Sequence, residues 1–322
     1  MESPEKWDNL VKSQHGHPLQ LFGWGEVKKS TNSWQVAHAV RANPKDASAD
    51  FAQILIRQTP LGRFGYIPRG PNLTDEFLQE LRVVAKRKNL FMLRFEPNVA
   101  QDNWHIWRTK LKTPRDHILL SKTVQLDLTK SADTLLAEMD STTRQNIRRG
   151  ERNSALQIRP ATAADLPRIL EIYHQTATRS NFPLHPDTYY QSIFQNMAAA
   201  NHLFVALVDN TIEAFVWCIK TPAACFELYG GATSLGLKHR ANYLLKWQAI
   251  LAAQATSKIY DLNGLLNDGI SDFKRGFSAH VDGHSTETLL APTSDLVLKP
   301  FRYFLFSTLL PLAKRLFKAR RT

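Results

Sequence analysis

The chain has 322 residues, 43% hydrophobic and 22% charged, a composition that excludes wholesale disorder and suits two domains better than one core. Lys and Arg number 41 against 29 Asp and Glu, for a formal charge of +12 and a pI near 9.7, and this excess points to an anionic partner: nucleic acid, a phosphorylated substrate or an anionic membrane surface. Cys218 and Cys225 are too few for a disulfide framework or a zinc site and suit a reducing compartment; the polar N-terminal stretch predicts no secretory signal, and no apolar run reaches the ~18 residues of a spanning helix.

Residues 1–29 begin polar and end in a helical pattern. Leu19, Leu21, Phe22, Trp24 and Val27 form its apolar face, and Lys28 and Lys29 close it where cations complement the helix dipole. Trp34 to Arg41 and Phe51 to Arg57 read as two strands joined by a polar loop over 42–50. Leu61 to Pro71, LGRFGYIPRGP, predicts a tight, irregular path carrying Arg63 and Arg69. A helix follows over 74–88, with Thr74 as its cap, acids in the first turn and bases in the last. Leu90 to Phe95 is a buried strand, residues 98–117 are loop, and Thr123 to Leu128 alternates as a strand.

Ser131 to Arg152 predicts two consecutive helices, capped by Ser131 and Ser141. In the second, Arg144, Arg148 and Arg152 recur every fourth residue and share one face, which Arg149 extends. Like charges so spaced repel by roughly a few tenths of a kcal/mol per pair, so the stripe is either neutralised by an anion or is a solvated face.

The pattern then restarts: a strand at 156–160, a helix over 163–180, and a polar stretch with His185 and Tyr189-Tyr190. Strands follow at 203–208, 211–220 and 224–229, then a helix over 242–255 and a buried strand from Ile259. A polar loop, 263–271, leaves that strand and ends in Phe273-Lys274-Arg275-Gly276-Phe277. Loops leaving strand ends are where binding and catalytic groups collect. Lys274 offers a cation there, between rings that either anchor a surface turn or stack on a base. The tail, 296–322, predicts a basic amphipathic helix that packs its apolar side on the protein or lies on an anionic membrane. This order, strand–helix–three strands–helix–strand, resembles the GNAT acyltransferase fold, and the first half repeats it loosely. The expected class is α/β (α+β), with tandem GNAT-like domains over 1–153 and 154–295, the first completed by the C-terminal helix.

Six stretches together carry a closer resemblance: Trp24-Gly25-Glu26-Val27-Lys28, Tyr66-Ile67-Pro68-Arg69-Gly70-Pro71, Arg94-Phe95-Glu96-Pro97, Thr143-Arg144-Gln145-Asn146-Ile147-Arg148-Arg149, Leu228-Tyr229-Gly230-Gly231-Ala232 and Phe273-Lys274-Arg275-Gly276-Phe277. In this order and spacing they resemble the FemABX family, the aminoacyl-tRNA-dependent transferases of peptidoglycan bridge synthesis. No charged heptad stretch interrupts the second half, so the resemblance is to the type without a coiled-coil arm.

The resemblance implies transfer of an aminoacyl group from a tRNA ester to a stem-peptide amine of a cell-wall precursor, either lipid II or UDP-MurNAc-pentapeptide. It implies a cytoplasmic monomer that uses aminoacyl-tRNA as co-substrate and needs no cofactor; the basic tail tilts the reading to the lipid-linked precursor and peripheral contact with the inner membrane face, and the close pairs His15/His17 and His280/His284 lack the carboxylates or cysteines of a metal site. Lys274, after Phe273, would serve the tRNA end by neutralising charge or stabilising the oxyanion. Lys28 would meet the precursor diphosphate and Arg179 would assist it. Tyr66, Arg69 and Tyr229 would line the cleft. Glu96, where the family has Asp, would face the acceptor peptide. Arg144, Arg148, Arg149 and Arg275 would contact tRNA or phosphate. The amine attacks an already activated ester, so no enzyme nucleophile is required, in keeping with the absence of a Ser/His/Asp or Cys/His signature.

An acyl-coenzyme A transferase would need a [Q/R]-x-x-G-x-[G/A] turn before the 242–255 helix. Ser234-Leu235-Gly236-Leu237-Lys238-His239-Arg240 has one glycine and no second small residue at the required spacing. The third reading is a non-catalytic RNA-binding protein on the same fold.

Overall fold

A helix absent from the sequence-based expectation opens the chain: α1 (Pro4–Ser13), capped by Ser3, whose Oγ accepts from the Lys6 N–H at 3.2 Å, with Pro4 in the first turn. Trp7 and Val11 are its buried side. The structure is a computed structural model and describes residues 3–309 apart from 32, 44–47, 108, 109, 115 and 267. The chain forms two units, one of Met1–Gln14, Leu19–Ser121 and Leu289–Thr322, the other of His15–Pro18 and Lys122–Thr288.

In the first unit the Asp8 carboxylate accepts from the Phe22 N–H at 2.7 Å and so fixes the start of α2 (Phe22–Ser30). Two antiparallel strands, β1 (Trp34–Ala42) and β2 (Ala49–Thr59), continue into β3 (Gly62–Pro68), α3 (Asp75–Arg87) and β4 (Leu90–Glu96). The stretch predicted as an irregular path is therefore a strand. Gly65 is there for closeness, not for a turn: a Cβ on it would lie 2.6 Å from Leu93 Cδ1 and 2.8 Å from Leu90 Cδ1. The irregularity is confined to Arg69, whose φ is +51°, and the Gly70-Pro71 step after it. Helix α3 has the predicted Thr74 cap, with Thr74 Oγ1 accepting from the Phe77 N–H at 3.2 Å, and carries the chain over so that β3 and β4 run parallel.

The second unit contains β5 (Lys122–Asp127), α4 (Ala132–Glu138), α5 (Ser141–Glu151), β6 (Leu156–Pro160), α6 (Leu166–Ser180), α7 (Asp187–Asn196), β7 (Asn201–Val208), β8 (Thr211–Lys220), β9 (Ala224–Ala232), α8 (Ser234–Lys238), α9 (Ala241–Gln254), β10 (Ile259–Gly264), α10 (Gly269–Arg275), the short pair β11 (His280–Val281) and β12 (His284–Ser285), and β13 (Thr288–Leu289). Its sheet order is β13-β5-β10-β9-β8-β7-β6. Strands β9 and β10 are parallel and joined through α9, while β6 to β9 are antiparallel neighbours. Back in the first unit, β14 (Ser294–Val297) pairs antiparallel with β4, and α11 (Pro300–Phe304) runs into a π-turn over Leu305–Leu309. Each unit thus holds one parallel pair bridged by a helix in a largely antiparallel sheet, and the fold is two GNAT-like domains in tandem.

Four expectations need correction. The boundary is not at 153/154, because β5 pairs with β10, and Leu126, Leu135 and Ile147 share a core with Val208 and Tyr260. Asp140, not Ser141, caps α5, accepting from the Thr142 and Thr143 N–H groups at 2.7 and 3.0 Å. Tyr189 and Tyr190 belong to α7, where they are buried. The tail is not helical from 296: Leu296 and Val297 lie in β14, the helix starts at Pro300, and residues 310–322 lie outside the described residues.

Candidate active site

The loop predicted over 263–271 gives way at Gly269 to a helix, α10, that runs through Phe273-Lys274-Arg275, and short hydrogen bonds fix the turn into it. Asp261 accepts from Thr123 Oγ1 at 2.6 Å, Gln125 Nε2 at 2.9 Å and the Asn263 N–H at 2.7 Å. Asn263 takes a φ of +64°, tolerable for Asn, and turns the chain. Asp268 then caps α10 by accepting from the Ser271 N–H at 2.8 Å. Phe273-Lys274-Arg275 is the end of this helix and Gly276 stops it. Gly276 is sterically required, since a Cβ there would lie 2.4 Å from Thr143 Oγ1 and 2.5 Å from Asp140 Oδ2.

Lys274 is half-buried, and its Nζ donates to the Gly264 carbonyl at 3.0 Å. Burial pushes its pKa down and the Lys246 ammonium adds to this, while Glu227, Asp261 and Asp268 act the other way. Lys246, on α9, makes a bidentate ion pair with Glu227 of β9 at 2.7 and 2.8 Å, with 4% and 7% of the two residues exposed. The Lys246 Nζ also lies 5.1 Å from the Phe273 ring centroid and 5.8 Å from that of Phe277. Phe273 packs edge-on against Phe277 and Tyr243. Tyr260 donates to Glu227 Oε2 at 3.3 Å, and its hydroxyl lies 3.2 Å from Cys218 Sγ. Glu227, Lys246 and Asp261 escaped the sequence reading. The available signal was a lone charge inside an apolar run, Glu227 in CFELY and Lys246 in LLKWQ.

Tyr229 lies among aromatic rings, 5.2 Å from Tyr173, 5.2 Å from Tyr190 and 6.3 Å from Trp217 between centroids. Burial, with the neighbouring tyrosines, pushes its phenol pKa well up, so it stays a neutral donor. Arg179 is exposed in the last turn of α6. Arg148 and Arg149 are exposed in the last turn of α5. Arg144 and Arg275 are placed otherwise. Arg144 donates to the carbonyls of Ala137, at 3.0 Å, and Met139, closing the end of α4. Arg275 pairs with Glu287 at 2.7 Å and Asp272 at 2.8 Å. The Arg275 guanidinium is engaged by the fold on all three nitrogens, and that of Arg144 through Nη1.

In the first unit, burial lowers the half-buried Lys28 from the usual lysine range to about 8, and its Nζ lies 4.5 Å from the Trp24 ring centroid. Tyr66, Arg69 and Glu96 are brought together, but as a framework. Glu96 accepts from Tyr66 Oη at 2.5 Å, the Ile118 and Leu119 N–H groups at 2.5 and 2.9 Å, and Thr293 Oγ1 at 3.3 Å. Arg69 donates to the Leu120 carbonyl at 2.8 Å, and Arg94 pairs with Asp116 and Asp295, each at 2.8 Å. These groups hold the 116–120 strip in place, and Glu96 has its oxygens occupied by that work.

At the turn that would cradle a coenzyme pyrophosphate, α8 intervenes. Thr233 Oγ1 takes the Gly236 N–H at 3.1 Å, and the Leu237, His239 and Arg240 N–H groups close onto Thr233, Leu235 and Leu237 carbonyls. Among the described residues no group of three or more His, Cys, Asp or Glu is placed to hold a metal ion.

The FemAB family model matches residues 109–213, from the loop before β5 into β8. The match covers about a third of the sequence and omits both Lys28 and Lys274; beyond it the likeness is one of fold. A crystal structure of FemX superposes with a TM-score of 0.85 at 16% identity, covering 96% of this chain and 99% of that one. A conserved protein of unknown function from Bacteroides thetaiotaomicron gives a TM-score of 0.59 at 11% identity, covering 91% and 97% of the two chains. L-PGS from Bacillus licheniformis gives 0.55 at 12% identity, covering 95% and 96%. At these identities the neighbours show that this chain shares their fold. No curated protein matches it in sequence.

Proposed function

We propose that this chain is an aminoacyltransferase of peptidoglycan bridge formation, moving an amino acid from aminoacyl-tRNA to a stem-peptide amine of a cell-wall precursor. The FemAB match supports a bridge-forming transferase in general. The observation that carries the finer reading is Lys274: a half-buried ammonium fixed on a capped helix and backed by a buried ion pair. The acceptor amine would attack the ester carbonyl, a C–N bond would form, and the C–O bond to the terminal ribose would break. The proton lost by the amine would pass to the ribose oxygen. Lys274 would stabilise the oxyanion or the charge of the tRNA end, which needs a cation held still, not a nucleophile. Arg148 and Arg149 remain available to phosphates, and the excess charge of +12 suits two polyanionic substrates.

Acyl-coenzyme A as donor is the second reading on fold grounds. It is disfavoured by the 233–240 turn, where the Gly236, Leu237, His239 and Arg240 N–H groups donate to Thr233, Leu235 and Leu237 and so are not turned to a pyrophosphate. The deciding experiment gives the purified protein a pool of radiolabelled aminoacyl-tRNAs with a pentapeptide precursor, and acetyl-coenzyme A in a parallel reaction. Label passing from tRNA to the precursor is expected. Label passing only from acetyl-coenzyme A would overturn the proposal.

A further inference from the structure

Helix α11 presents its aromatic residues to two sides. Tyr303 donates to Asp295 Oδ2 at 3.1 Å, and Phe306, just beyond the helix, packs 5.6 Å from Phe64 and 5.4 Å from Phe91 between ring centroids. These contacts fasten the segment to the first unit. Phe301 and Phe304, one turn apart, are 74% and 53% exposed, and Phe301 is the most exposed large hydrophobic side chain among the described residues. Phe301 and Phe304, of the apolar side expected to pack, are thus exposed, and Tyr303 and Phe306 make the contacts instead.

Two phenyl rings in water need a partner, and the charge of the same stretch says which kind. From Lys299 to Thr322 the sequence has seven Lys and Arg and no Asp or Glu. Arg302, on the same helix, is exposed, with its guanidinium toward Gly62. Cations favour an anionic surface and disfavour a second copy of the same basic segment, because the copies would repel. Rings with flanking bases match the headgroup layer of a bilayer, where the ring sits at the acyl boundary and the cation meets phosphate. A nucleic acid would satisfy the cations, whereas two phenyl rings exposed one turn apart are better served by the acyl boundary of a bilayer.

We propose that the face of α11 bearing Phe301 and Phe304 docks on an anionic lipid surface and makes this chain a peripheral membrane protein. The inference rests on the exposed rings and the charge of the segment, and does not depend on the transfer reaction. Among the described residues no helix is long and apolar enough to cross a membrane, so the attachment is to the surface.

The test is flotation of the full-length protein with vesicles of phosphatidylcholine alone and of phosphatidylcholine mixed with phosphatidylglycerol. The protein should float with the mixed vesicles only, less so as salt is added. The double variant Phe301→Ser/Phe304→Ser should bind them about tenfold more weakly or worse, at unchanged melting temperature, since the rings it removes leave water only on docking. Failure of the wild type to bind mixed vesicles would overturn the proposal, as would a double variant that binds like wild type. A variant that keeps vesicle binding but loses affinity for RNA, or loses a concentration-dependent self-association, would assign the face to that partner instead.

Discussion

Lys274 is held by the Gly264 carbonyl and by the end of a short capped helix, so its position is defined before substrate arrives. Lys274→Ala should lower turnover by about 10²–10³-fold, the usual consequence of losing one oxyanion donor, with folding intact. A variant with near-normal turnover would remove the assigned role. Lys28 makes a prediction in pH. Its ammonium is lowered to about 8, so charge is present below that pH and lost as pH rises through it. If it meets a precursor diphosphate, the precursor KM should rise through that window, and the break should vanish in Lys28→Arg, whose guanidinium does not titrate there. A break that persists in the arginine variant would reject the phosphate contact. Glu96 should report on stability instead: Glu96→Gln turns an NH2 toward the donors of Tyr66, Ile118 or Leu119 and should cost about 1–3 kcal/mol in denaturant unfolding. Lys28 and Lys274 were legible because each lies in a motif. Glu227 and Lys246 were not, because a lone charge in an apolar run does not name its partner, and theirs is 19 positions away.

Helix α10 shows where element reading fails. Phe273 to Phe277 looked like a loop because Gly264, Asn267, Asp268 and Gly269 precede it, all turn formers. The structure uses Asp268 as a cap instead, and one good cap starts a helix that composition alone would not. The glycine that ends it is set by packing against Thr143 and Asp140, which no local pattern reveals. Gly276→Ala should therefore displace Asp140 from the Thr142 and Thr143 N–H groups, loosening α5 and α10 together, at about 1–3 kcal/mol. Hydrogen exchange should show both helices opening. Loosening of α10 alone would mean that the contact does not couple them. Elsewhere hydrophobic periodicity served well: β7, β8 and α9 fall within a residue or two of expectation, since each buries a face with a clear period.

At the scale of the whole chain, the order of elements gave the tandem GNAT-like architecture but not the division between the units. The sequence shows where one pattern restarts, near Asn153, whereas the division depends on which strands pair, and pairing partners can lie far apart in sequence. Strand β5 joins β10, and the chain returns after Thr288 so that β14 pairs with β4. The return is more than one added strand. Asp295 of β14 is fully buried and takes Arg94 Nε at 2.8 Å and Nη2 at 2.9 Å, while Asp116, the other carboxylate on Arg94, is mostly exposed. A chain ended at Thr288 would lose the β4 edge pairing and leave the buried Arg94 without its inner partner. Breaking a buried pair from one side costs about 3–5 kcal/mol, a large share of the 5–15 kcal/mol by which a domain is stable. Such a truncation should therefore be insoluble or should melt far below the full chain, with the loss seen in the first unit's strands by hydrogen exchange. The milder Asp295→Asn keeps the strand and weakens the ion pair, so it should fall between the two. A truncated protein that melts like the full chain would show that the first unit does not need the segment that returns to it.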